Sequence, residues 1–144
     1  MTMRGYFRNP EATAETLVDG WLRTGDVCTQ DEDGFYYFVD RAKDMIVSGG
    51  LNIYAKEVEL ALSAHPSIAD VAVVGVPDDE FGEAVLAFVE LEADGEAITA
   101  DDVVEFAREQ LASYKKPRHV RFVDGMPRTA SGKVRKPVLR EMYL

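Results

Sequence analysis

At 144 residues, 47% hydrophobic and 29% charged, the chain has the composition of a soluble globular protein, with room for one domain or a small domain plus part of another. No apolar run has the length of a bilayer span, and no charged-then-apolar leader marks a signal peptide, so a transmembrane anchor is not expected. The net charge of −10 and the single cysteine, Cys28, argue against a disulfide framework or a thiolate metal cluster and predict a reducing, cytoplasmic setting.

The charge is split along the chain. Residues 1–114 hold 24 acidic and 7 basic residues, whereas residues 115–144 hold 2 and 9. That basic tail reads either as a solvated face or as a patch that meets phosphates. Its aromatic residues, Tyr114, Phe122 and Tyr143, have no regular spacing for stacking bases, so a nucleic-acid partner is not expected.

In chain order, Asn9-Pro10 caps and opens a short helix that ends before the turn Asp19-Gly20. Residues 20–39 read as a β-hairpin, with strands at Trp21–Asp26 and Phe35–Val39 around the turn Asp31–Gly34. A lone hairpin is marginal, so these forty residues are expected to belong to a larger body. Met45-Ile46-Val47 is a short strand that breaks at Ser48-Gly49-Gly50, where missing Cβ atoms allow close approach to the backbone. Tyr54–Ala64 carries helical periodicity and stops at His65-Pro66. Asp70–Val76, apolar on both faces, is predicted as a central strand, and Ala84–Leu91 as the next. Thr99 and Asp102 have capping-box spacing ahead of a helix with the stripe Val103, Phe106, Ala107 and Leu111. His119–Val123 alternates as a strand, Pro127–Gly132 is a loop, and Lys136–Tyr143 closes with helical turns. From Met45 the order predicts an α+β fold, a small mixed sheet with helices packed on it, preceded by the hairpin. His65 and His119 lie far apart with no cysteine or paired carboxylate nearby, so no metal site is expected.

Three segments then stand in order: Gly20-Trp21-Leu22-Arg23-Thr24-Gly25-Asp26; Asp40-Arg41 through Asn52 with Glu57-Val58-Glu59; and Pro127-Arg128-Thr129-Ala130-Ser131-Gly132-Lys133. Gly82-Glu83 and Tyr114-Lys115 with Pro117 are smaller matches. Together they resemble the C-terminal part of the adenylate-forming superfamily of acyl-CoA synthetases, peptide-synthetase adenylation domains and luciferases, and the likeness covers essentially the whole chain. The resemblance implies that residues 1–42 end a large N-terminal domain and that residues 43–144 form a mobile lid with its hinge at Lys43. It implies that Asp26 holds the ribose hydroxyls of ATP, that Arg41 contacts the ribose and phosphate side, and that Lys133 is the catalytic cation at the α-phosphate. Gly49, Gly50 and Leu51 would line the pantetheine channel of coenzyme A. Lys115, with Lys116 and Arg118, would meet coenzyme A phosphates or form a solvated run.

Met45–Gly50 with Asn52 is similar to the fatty-acid and acyl-CoA ligase pattern. Val47 stands where luciferases carry a lysine, and Ala55 where the family often has proline. The resemblance therefore implies an AMP-forming acid–thiol ligase acting on a fatty or related carboxylic acid, with ATP, Mg2+ and coenzyme A as substrates of the longer enzyme and none of them held tightly by this piece. Its expected partner is its own missing N-terminal domain, without which it is inactive, and residues 1–42 are expected to self-associate otherwise. The competing reading is a non-catalytic module whose basic tail binds polyanions.

Overall fold

The computed structural model describes residues 2–143. It divides into two compact units, Met1–Lys43 and Asp44–Leu144. Among the described residues no helix is long and apolar enough to cross a membrane.

In the first unit, helix α1 (Pro10–Thr16) begins where the sequence places its cap. The Asn9 side chain accepts a hydrogen bond from the Ala12 N–H, and Pro10 occupies the first turn, where its missing donor costs nothing. Strands β1 (Leu17–Val18) and β2 (Trp21–Leu22) pair around Asp19-Gly20, both with positive φ (51° and 81°). That is the turn geometry whose twist suits a two-residue hairpin. Strands β3 (Asp26–Gln30) and β4 (Tyr36–Arg41) make a second antiparallel pair with a bulge between Val27 and Cys28.

The single hairpin expected over residues 20–39 is thus two. Asp19-Gly20 turns Trp21-Leu22 back onto Leu17-Val18, and Asp26, read as the end of a strand, instead starts the one that pairs with Tyr36–Arg41. Asp31 fixes the second turn: its carboxylate accepts from the Phe35 N–H at 2.9 Å and the Tyr37 hydroxyl at 2.7 Å. These bonds hold its carboxyl below the usual carboxylate range. Among the described residues of this unit, Asp40 alone is buried. Phe7 and Trp21 stay 87% and 79% exposed, and Phe35, Tyr36, Tyr37 and Phe38 are also exposed. A unit with such side chains in water has no core of its own.

The second unit is built on a five-stranded mixed sheet. A 3₁₀ turn (Ala42–Asp44) leads into β5 (Met45–Ser48) and β6 (Leu51–Tyr54), joined by Gly49-Gly50, followed by helix α2 (Ala55–Leu62). Strands β7 (Ile68–Asp78) and β8 (Gly82–Leu91) form a long antiparallel pair. Helix α3 (Ala100–Gln110), a 3₁₀ turn (Ser113–Lys115), β9 (His119–Phe122) and α4 (Lys136–Tyr143) complete it. The expected capping box is present: Thr99 accepts from the Asp102 N–H, and Asp102 accepts from the Thr99 N–H at 2.8 Å.

The hydrogen-bonded order is β6-β5-β8-β7, and β9 runs parallel to β8 on the edge that β8 shares with β5. Helices α2 and α3 cover one face through Ile46, Val58, Leu62, Val73, Val103 and Ala107. Leu139 of α4 and Met126 cover the other, against Val74, Leu86 and Phe88. The fold class is therefore the expected α+β, but the central strand is β8, and β7 lies at the sheet's end. The apolar run of β7 reports helices on both faces, which is independent of strands on both edges.

The free edge of β7 is occupied by side chains. Glu59 of α2 accepts from the Val73 N–H at 3.0 Å, and Arg140 of α4 donates to the Gly75 carbonyl at 3.2 Å. Exposed edges of this kind template unwanted pairing, and these two contacts close it. On the far side, Glu83 reaches from β8 to the Val47 N–H at 2.7 Å. A Cβ on Gly75 would lie 2.7 Å from that carboxylate, so only glycine leaves Glu83 its path.

Candidate functional site

Lys133 closes a short turn, across from Thr129. The Thr129 N–H donates to the Lys133 carbonyl at 2.8 Å, the Gly132 N–H donates to the Thr129 carbonyl at 2.9 Å, and Arg128 and Val134 bridge as an antiparallel pair. The Thr129 hydroxyl accepts from the Lys133 N–H at 3.2 Å, and Gly132 has φ +84°. The backbone is thus tied while the side chain is exposed, and among the described residues its ammonium has no ion-pair partner. Of the neighbouring cations, Arg128 pairs with Asp70 and Lys136 with Glu59, whereas the Arg135 side chain has no ion-pair partner among the described residues.

Asp26 and Arg41 are brought together in the first unit. They are the first register pair of the β3–β4 hairpin, with Arg41 Nε 3.0 Å from Asp26 Oδ1. Arg41 also donates to the Thr24 carbonyl at 3.1 Å, and its own N–H donates to Asp40 at 2.8 Å. Across the strand pair, the partner of the Arg41 side chain is thus Asp26.

Gly49 and Gly50, with φ of 57° and 79°, form the tip of the β5–β6 hairpin. The Gly49 N–H donates to the Phe81 carbonyl at 2.8 Å, and a Cβ there would press on the Phe81 ring at 3.0 Å. Phe81 is itself held by Asp78, which accepts from the N–H groups of Phe81 and Glu80. Those donors, the Phe81 N–H foremost, hold the Asp78 carboxyl below its ordinary range. The Arg118 guanidinium lies over the Phe81 ring, 4.0 Å from its centre. A groove of about 410 Å³ results, lined by Ser48, Gly49, Leu51, Phe81 and the segment carrying Tyr114, Lys116 and Arg118.

Gly50, Lys115 and Lys133 are not in its lining. Lys115 turns away and makes two contacts to the Glu57 carboxylate, at 2.6 and 2.8 Å. The resemblance named Lys115, Lys116 and Arg118 together as phosphate contacts; past the 3₁₀ turn at Ser113–Lys115, Lys116 and Arg118 line the groove and Lys115 does not. The signal was Glu57, a carboxylate already singled out with no role given to it.

The hydrogen bond to Glu57 raises the Lys115 ammonium above its ordinary 10.5 against an opposing effect of burial. Lys115 therefore binds its proton more tightly folded than unfolded. The pair's contribution is complete at neutral pH and is lost as the pH climbs past 10.5 and through the folded value. Glu57→Gln is expected to lower stability by about 1 kcal/mol at pH 8, the upper end for a pair whose carboxylate is partly in water. Urea midpoints of parent and variant should converge as the pH rises past 10.5 and through the folded value. A gap of constant size across that range would show that the ion pair contributes nothing.

Among the described residues no group of three or more His, Cys, Asp or Glu side chains is placed to hold a metal ion. Asp70, Asp78 and Glu57 each face an Arg or Lys. A resident Mg2+ does not fit this donor set.

Residues 57–133 match the family model of the AMP-binding enzyme C-terminal domain. The chain belongs to that family. This AMP-binding C-terminal domain is 52% identical over 96% of its length to a methyl-dioxo-octahydroindenyl-propanoyl:CoA ligase of Rhodococcus jostii, and 49% identical over 98% to a feruloyl-CoA synthase of Amycolatopsis. It covers 27% and 28% of those proteins, about a quarter of their length. Structures of MatB from Rhodopseudomonas palustris match 97% of the chain and 28% of theirs. The ATP-bound form has a TM-score of 0.86 at 41% identity, and the apo form 0.72 at 42%. The resemblance to adenylate-forming acyl-CoA ligases, and the α+β fold it implied, both hold.

Proposed function

We propose that the chain is the C-terminal part of an AMP-forming acyl-CoA ligase, in which Lys133 serves the first of two half-reactions and the Gly49 hairpin serves the second. The observation that carries this reading is an ammonium with no ion-pair partner among the described residues, on a backbone-tied turn inside the segment that matches the family.

In the first half-reaction a carboxylate oxygen attacks the α-phosphorus of ATP. The bond from phosphorus to the pyrophosphate oxygen breaks, and its electron pair leaves with pyrophosphate. Negative charge gathers on the phosphate while two anions meet, so a positioned, unshared cation stabilises the transition state. Mg2+, arriving with ATP, neutralises the phosphates. Asp26 would accept hydrogen bonds from the ribose hydroxyls, since Arg41 Nε engages one of its oxygens and a carboxylate has acceptor capacity on both. Arg41, always charged, would meet the phosphate side.

In the second half-reaction the coenzyme A sulfur attacks the acyl carbonyl carbon, the thiol proton is lost, and AMP departs. Gly49 and Leu51 border a groove with Lys116 and Arg118 at its other wall. A thin pantetheine arm along the glycines and phosphates at the cations suit that layout. Lys115, committed to Glu57, would support this wall from behind. The acid is a fatty or related carboxylic acid, and the reaction runs in the cytoplasm, in keeping with the single, unpaired Cys28.

The rival reading, a polyanion-binding tail, is disfavoured by internal pairing. Of the nine basic residues from Lys115 onward, Lys115, Arg118, Arg128, Lys136 and Arg140 are engaged with carboxylates or a carbonyl of the same unit.

Lys43 as hinge belongs to the same proposal. It lies in the exposed 3₁₀ turn between the two compact units. Proline at Lys43 fixes φ and removes a donor. In the full-length enzyme Lys43→Pro is expected to slow thioester formation about tenfold or more while acid-dependent ATP–pyrophosphate exchange stays within about threefold. Unchanged overall turnover would sink the hinge, and absence of acid-dependent exchange in the parent enzyme would sink the ligase reading itself.

A further inference from the structure

The peptide unit between Gly132 and Lys133 is held at both ends. Its N–H, on Lys133, donates to the Thr129 hydroxyl at 3.2 Å. Its carbonyl, on Gly132, accepts from Arg128 Nη1 at 2.8 Å. A peptide is planar, so anchoring both ends fixes the plane from which the Lys133 Cα departs. The second nitrogen of the same guanidinium, Nη2, pairs with Asp70 Oδ2, and Asp70 Oδ1 accepts from the Val71 N–H at 2.9 Å. One flat, forked cation thus connects the lysine turn to the start of β7.

We infer that Arg128 is a positioning residue for Lys133: its guanidinium bridges the Asp70 carboxylate and the Gly132 carbonyl, and so aims the catalytic lysine from the sheet. This rests on the role proposed above for Lys133. Two features favour the inference over a surface ion pair of no consequence. The contact spans 58 positions, so it does not follow from local chain geometry. It also neutralises the arginine, which leaves Lys133 as the turn's unshared cation. A lysine at position 128 has the charge but not the rigid fork, and meets both partners less well.

The test uses Arg128→Gln, Arg128→Lys, Lys133→Ala and the double variant Arg128→Gln/Lys133→Ala in the full-length enzyme. Acid-dependent ATP–pyrophosphate exchange is the readout, with amide hydrogen exchange measured on the 144-residue chain. Arg128→Gln is expected to lower kcat for exchange roughly tenfold to a hundredfold, the scale of a small misplacement of a catalytic group, with KM for ATP within about twofold. Arg128→Lys should recover part of that loss. In the Lys133→Ala background, Arg128→Gln should change exchange less than about twofold, because a residue acting through Lys133 has nothing left to aim. On the chain itself, Arg128→Gln should speed exchange of the Lys133 amide about tenfold and leave Val73 and Val85 unchanged.

The inference is overturned by an equal loss with and without Lys133, or by an unaltered Lys133 amide. If Lys133→Ala fails to lower pyrophosphate exchange, the catalytic assignment of Lys133 fails, and the aiming role fails with it. The amide measurement then still tells whether the bridge orders the turn, so the two failures are distinguishable.

Discussion

Lys133→Ala in the full-length enzyme is expected to lower acid-dependent ATP–pyrophosphate exchange by about 10²–10³, or roughly 3–4 kcal/mol in the barrier, the cost of removing one preorganised electrostatic group. The size follows from three facts on the turn. The ammonium has no competing carboxylate among the described residues, the backbone on both sides of it is hydrogen-bonded, and Gly132 has φ +84°. A cation that leaves a tied backbone and is not committed to a carboxylate is free to meet the charge that develops on the α-phosphate. Thioester formation from a supplied acyl-adenylate should fall less than about threefold, because the glycine hairpin, not the lysine turn, is proposed to serve that step. Lys133→Arg should restore only part of the loss, since its fork is wider than a point cation. Equal losses in the two half-reactions would end the division of labour between the lysine turn and the glycine hairpin.

Glu59→Ala is expected to destabilise the second unit by about 2–4 kcal/mol. Glu59 accepts from the Val73 N–H at 3.0 Å and from Lys136 Nζ at 2.8 Å, and the Glu59 and Lys136 side chains are only 13% and 16% exposed. Alanine removes both acceptors. A buried N–H on the free edge of β7 and a mostly buried ammonium are then left without partners, each of which costs more than the lost bond itself. Glu59→Gln keeps an acceptor for Val73 and should cost about half as much. Removing both charges, Glu59→Ala with Lys136→Met, should be milder than the sum of the single changes. Trp21 lies in the first unit, so its fluorescence does not follow this event. Urea unfolding by circular dichroism, with amide exchange along β7 and β8, does. A Glu59→Ala variant within about 0.5 kcal/mol of the parent would mean that water satisfies the β7 edge.

Much of this protein was legible in local sequence because the relevant physics is local. Asn9-Pro10 opens a helix, Asp19-Gly20 and Gly49-Gly50 make positive-φ turns, and Thr99 with Asp102 builds a capping box, all within four residues of chain. The stripe Val103, Phe106, Ala107 and Leu111 packs on the core as its spacing dictates. The ordered motifs ending in Ser131-Gly132-Lys133 identified the family.

What only the tertiary structure decided is which charges are spent and which are free. Lys115 and Glu57, and likewise Arg128 and Asp70, stand 58 positions apart, and Arg140 reaches the Gly75 carbonyl over 65. These partnerships depend on where helices land on the sheet and on the register of β7 against β8. The same dependence placed β7 at the sheet's end although its side chains read as central. A lysine in a sequence carries one charge wherever it stands; whether that charge is available for chemistry is set by the carboxylates that the fold brings beside it.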